Sequence, residues 1–125
     1  MAKYAHSDVL DGGLTAIKTA ATKMLLISGY TAGDSYATVV AAKLAEATMA
    51  SGDFTIAADG SGRKVTSATK SATASASSPT PNLHIAFTDG AAKVLWVTDE
   101  TTDQAITSGN TVNFPALTYS SAQPV

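Results

Sequence analysis

The rhythm of apolar and polar positions along this chain changes near residue 54. Before that point one stretch carries a helical period. In residues 7–21, "SDVLDGGLTAIKTAA", Leu10, Leu14, Ile17 and Ala21 recur at i, i+4, i+7 and i+11, which is one stripe of a helix. Ser7 is placed to cap its start, and Asp8 and Asp11 fall in the first turn, where the helix dipole favours negative charge. Gly12 and Gly13 each cost roughly 1 kcal/mol against Ala in a helix interior. The helix is therefore expected to hold only when its stripe is packed. "KMLLIS" (23–28) reads as a short buried strand and "GYTAGDS" (29–35) as a loop. "SYATVVAAKLAEA" (35–47) fits either a short helix or a strand.

From Phe54 onward, short runs rich in Val, Ile, Thr and aromatics recur between turn residues, the pattern of a sandwich or barrel. "LHIAFT" (83–88) alternates, with Leu83, Ile85 and Phe87 on one face and His84, Ala86 and Thr88 on the other. "DGAA" turns the chain, and "KVLWVT" (93–98) returns, which predicts a hairpin. "NTVNF" (110–114) is a further strand stopped by Pro115, and "ALTYSS" (116–121) completes a sheet. The low-complexity stretch "TKSATASASSPTPN" (69–82) fits a polar strand ending in a Pro-bounded loop. Together these runs predict a mainly β, single-domain fold of sandwich or barrel type with a short N-terminal helix: an arm and helix over 1–22, and the β domain over 23–125.

Composition narrows the class. Of 125 residues, 55 are Ala, Ser or Thr, and only 14% are charged, against roughly 25% in typical soluble domains. Small uncharged side chains form a surface that approaches another closely at little desolvation cost, as suits a protein that works against a partner. There is no cysteine, so disulfides and thiolate chemistry are excluded. A net charge of −2 offers no field to attract nucleic acid. No run approaches the 18 or so apolar residues of a membrane span, and the start "MAKYAHSDVL" does not read as a signal peptide. Charge is unevenly spread: residues 63–88 hold Arg63, Lys64 and Lys70 and no acid, whereas 89–125 hold Asp89, Asp99, Glu100 and Asp103 against Lys93. Such asymmetry can orient docking.

The stretch "ADGSGRKVT" (58–66) is the one candidate for phosphate or cation chemistry. A Walker loop needs a Gly-Lys-[Ser/Thr] ending and a following helix, but Gly62 is followed by Arg63-Lys64-Val65, which opens a strand. An EF-hand loop needs alternating acids, and only Asp59 is there. The stretch reads as a turn, with glycines at positive φ and Asp59 and Ser61 bonding to backbone; the alternative is a contact loop presenting Arg63 and Lys64. His6 and His84 lack a second ligand at metal spacing, no G-x-S-x-G elbow occurs, and Asp99-Glu100 reads as a solvated loop. Trp96 and Tyr119 could stack on a sugar or base, though aromatics in alternating strands are more often core. No residue set suggests an enzyme, and no catalytic, cofactor or metal residue is expected.

Four stretches together resemble a family of small structural proteins of tailed bacteriophages: "YAHSDVLDGGLTAIKTAATKMLLIS", "SGDFTIAADGSGRKVT", "LHIAFTDGAAKVLWVT" and "AITSGNTVNFPALTY". Their order and spacing span nearly the whole chain, and the alanine-rich "AGDSYATVVAAKLAEA" departs from the pattern. The family resembles capsid cement, or decoration, proteins: β-sandwich or jelly-roll domains that dock on an assembled head. The resemblance implies a virion protein made in the host cytoplasm and placed on the outer capsid surface. Its partners would be the major capsid protein and itself, as a trimer or dimer, with no nucleic acid, membrane or cofactor. The expected capsid or subunit contacts are Tyr4, His6, Leu10, Leu14, Arg63 and Lys64. A carbohydrate-binding module and a tail or baseplate component are the alternatives.

Overall fold

A computed structural model of the chain describes residues 3–79, 83–99 and 105–124. The fold is mainly β, built from antiparallel strands with a short N-terminal helix. Helix α1 (Ser7–Ala20) buries Leu10, Leu14 and Ile17, the expected stripe. Its cap differs from expectation. His6 is the N-cap, its Nδ1 accepting the Asp8 N–H at 3.1 Å, and Ser7 is already helical. An imidazole nitrogen offers the same lone pair as a serine hydroxyl, so either side chain can satisfy an orphan donor of the first turn.

Strand β1 (Lys23–Ile27) follows. The segment with two readings is both in succession: α2 (Tyr36–Ala41), with Ser35 Oγ accepting the Thr38 N–H at 3.2 Å, and then β2 (Lys43–Thr48). Beyond a single 3-10 turn (Ser51–Asp53) come β3 (Phe54–Asp59), β4 (Gly62–Ser67) and the polar strand β5 (Lys70–Thr73). The predicted hairpin is β6 (His84–Thr88) and β7 (Val94–Asp99), paired Phe87 to Trp96 and His84 to Asp99. Strands β8 (Thr111–Phe114) and β9 (Thr118–Ser121) end the order. The expected Pro-bounded loop at 80–82 and the acidic loop beyond Asp99 lie outside the described residues.

Among the described residues three sheets result, in the orders β2-β1-β6-β7, β3-β4-β9 and β5-β8. The first and third are joined where the Ser75 N–H donates to the Leu44 carbonyl at 2.7 Å. Register explains the main core. Met24 faces Phe87 and Leu26 faces Ile85 across β1 and β6, so all four fall on one face. That face meets Phe54 and Val65 of the second sheet, Val112 and Phe114 of β8, and Leu14 and Ile17 of α1. The opposite face of the four-stranded sheet is buried too. Leu25, Ile27 and Ala86 pack with Val39 of α2 there, which is why "KMLLI" lacks the alternation of a half-exposed strand. A bulge at Leu44, between the Leu26–Ala45 and Ile27–Lys43 pairs, turns both Leu44 and Ala45 inward.

An aromatic series runs from this core outward. Phe54 meets Phe87 edge-on with centroids 5.9 Å apart, Phe87 stacks on Trp96 at 4.9 Å, and Trp96 meets the edge of Tyr119 at 5.5 Å. These contacts tie β3, β6, β7 and β9 together, so Trp96 is partly buried against the core while Tyr119 remains exposed. No helix among the described residues is long and apolar enough to cross a membrane.

Candidate functional site

The β3–β4 connection, the N-terminal arm, the start of α1 and the tail after β9 are joined by side-chain bonds. The stretch "ADGSGRKVT" is a hairpin: Asp59 pairs with Gly62, leaving Gly60-Ser61 as a two-residue turn. Gly60 has φ +60°, as a tight connection between twisted strands requires. Gly62 is needed for another reason. A Cβ there would collide with the Ser121 carbonyl oxygen, so β9 approaches β4 over a bare backbone. The Asp59 side-chain bond also differs from the backbone bond expected of a turn. The Asp59 carboxylate accepts the Ser120 hydroxyl at 3.0 Å, and the Ser61 carbonyl accepts from the Gln123 amide at 3.1 Å. These bonds tie the turn to β9 and to the tail that follows it.

Arg63 and Lys64 part company at this point, since neighbours on a strand point to opposite faces. The Arg63 guanidinium turns toward α1 and makes a two-pronged pair with Asp11, Nε to Oδ1 at 2.8 Å and Nη2 to Oδ2 at 3.3 Å. Its hydrogen bonds to the Asp11 carboxylate raise the Arg63 pKa above its ordinary value, so the group stays a cation. Arg63 is thus paired within the chain. Lys64 is half-buried on the other face, level with Ala57 and Ser120.

The remaining expected contact residues divide cleanly. Tyr4 is 73% exposed and His6 is exposed while capping the helix. Leu10 and Leu14 are buried, Leu14 completely, because a helix with two interior glycines depends on its stripe for its place in the fold. They hold α1 to the body of the fold. Sequence reasoning missed Val9, which is 71% exposed one residue before the buried stripe. It also missed Gln123, whose amide oxygen accepts the Ala5 N–H at 2.8 Å and whose amide nitrogen donates to the Ala5 carbonyl at 3.0 Å. Residues 118 positions apart carry no local signal of their meeting.

Away from this end, the His84 Nε2 lies 3.1 Å from Asp99 Oδ1, and its buried Nδ1 has no hydrogen-bond partner among the described residues. A nucleophile or third ligand would be needed to turn this pair into a reactive site, and among the described residues no three His, Asp or Glu side chains are placed to share a metal. At the arm, turn and tail, Tyr4 and Val9 of α1 lie exposed beside the Asp11–Arg63 and Gln123–Ala5 bonds. Comparisons of this chain with protein-family models, with curated proteins and with solved structures return no match.

Proposed function

We propose that the chain is a capsid decoration protein of a tailed phage, a sandwich-like β domain that docks on the outer head surface and bridges neighbouring capsid subunits. Two supports carry the reading: the resemblance of its four stretches to that family, and the placement of its exposed apolar side chains. Tyr4 and Val9 are the two most exposed large hydrophobic residues described, and both belong to the arm and first helical turn. Such residues, set among small uncharged ones, fit a surface made to be covered. A standard interface buries about 800 Å² per partner, and contacts with two neighbours turn that area into a bridge. Weak contacts repeated over a lattice then add up, and a ligand of the closed shell stabilises the closed shell.

The proposed partners are the major capsid protein and further copies of this chain, as a trimer or dimer about a local symmetry axis. A carbohydrate module would need free aromatic faces, whereas one face of Trp96 is taken by Phe87 and Tyr119 meets it edge-on. The test is reconstitution. Heads lacking the protein should assemble yet release genome at lower temperature, and adding the purified chain should restore resistance. Heads whose thermal release is unchanged by the protein would overturn the reading.

A further inference from the structure

We infer that Gln123 is a positioning residue: it clasps the N-terminal arm to the C-terminal tail and so presents Tyr4 as a fixed element of the docking face. The geometry is that of a missing strand. A single side-chain amide pairs with both backbone groups of Ala5, accepting its N–H at 2.8 Å and donating to its carbonyl at 3.0 Å, as an adjacent strand would. The same nitrogen donates to the Ser61 carbonyl at 3.1 Å, so the clasp also spans the β3–β4 turn. A glutamine is suited to this, since its amide carries both an acceptor and a paired donor.

Ala5 lies beside exposed Tyr4 and two residues before the start of α1, in a stretch with neither helix nor strand of its own. Chain ends not tied down fray. Holding the arm before it meets its partner removes ordering entropy from the binding step, which is how preorganisation raises affinity. The tail, which packs little apolar surface itself, thereby sets the geometry of the opposite terminus. The docking half of this inference rests on the function proposed above; the clasp itself does not.

The experiment separates the two. Amide hydrogen exchange is measured on the full chain and on Gln123→Ala, and attachment to undecorated heads is measured for both and for Tyr4→Ala. Exchange at Ala5 should accelerate about tenfold in Gln123→Ala, while Leu14 and Val65 keep their protection. Attachment of Gln123→Ala and Tyr4→Ala should each weaken about fivefold or more. Unchanged Ala5 exchange would overturn the clasp, as would equal loss of protection throughout α1 and β4. Faster Ala5 exchange with wild-type attachment of Gln123→Ala, where Tyr4→Ala is weakened, would overturn the positioning role. Failure of the unaltered chain to attach at all would defeat the proposed function, leaving the clasp to be judged on exchange alone.

Discussion

Single residues in this chain matter through what their backbone and charge must meet. Gly62 is the sharpest case. Its missing Cβ leaves room for the Ser121 carbonyl, which is backbone and cannot swing aside. Gly62→Ala should therefore destabilise the protein by about 1–3 kcal/mol, the range for overpacking, visible as a lower urea midpoint. A wild-type midpoint would mean that β9 shifts freely. Asp89 makes a different prediction. Its Oδ1 accepts the N–H groups of Lys93, Ala92 and Ala91, and these bonds to the carboxylate lower its pKa from 3.8 to about 2. A depressed folded pKa means stability that is present above about pH 4 and lost as pH falls toward 2. The stability gap between wild type and Asp89→Ala should thus narrow as pH drops from 5 to about 2. Denaturant titrations at several pH values would show it, and a gap independent of pH would contradict the assignment.

At the scale of elements, α1 shows what local pattern conveys and what it omits. The i, i+4, i+7 spacing of Leu10, Leu14 and Ile17 was enough to place the helix and its buried stripe. It could not show that the stripe is spent on the chain's own core and so unavailable to a partner. Leu14→Asp puts a charge at a fully buried position and should cost more than the 2–5 kcal/mol of a Leu→Ala change; calorimetry of a soluble variant near the wild-type melting temperature would contradict this packing. Gly12 and Gly13 pose the reverse question. Neither has a positive φ, and a Cβ on either would meet nothing within 4 Å. Nothing among the described residues requires them. Gly12→Ala with Gly13→Ala should stabilise the protein by about 1–2 kcal/mol through the unfolded state and helix propensity. No rise in melting temperature would mean that these positions are constrained in a way the fold does not reveal.

Legibility followed sequence distance. The β6–β7 hairpin could be read because alternation and turn lie within 16 residues, and the "SATAS" strand because Ala72 and Ala74 turn inward while Ser71 and Thr73 stay out. The 35–47 segment resisted because a capped helix turn and an alternating strand abut there, with only Ala42 between them. The candidate site was legible only in pieces. Tyr4 and His6 could be named from an exposed arm, but Asp11–Arg63 joins residues 52 apart and Gln123–Ala5 residues 118 apart. No local propensity encodes such meetings, because they depend on how sheets and helix stack.

For the molecule as a whole, the proposed function depends on the place this β domain occupies. Low charge, a surface of small side chains, and Tyr4 and Val9 exposed at the arm all fit a protein meant to be covered. The most direct measurement is a cryo-electron microscopy reconstruction of virions carrying the chain. The expected result is density for the β domain on the outer face of the head, grouped as trimers or dimers at a local symmetry axis, with Tyr4 of the arm and Val9 of α1 against capsid subunits. Density confined to the tail tip, or head-bound copies with that arm facing solvent, would contradict it.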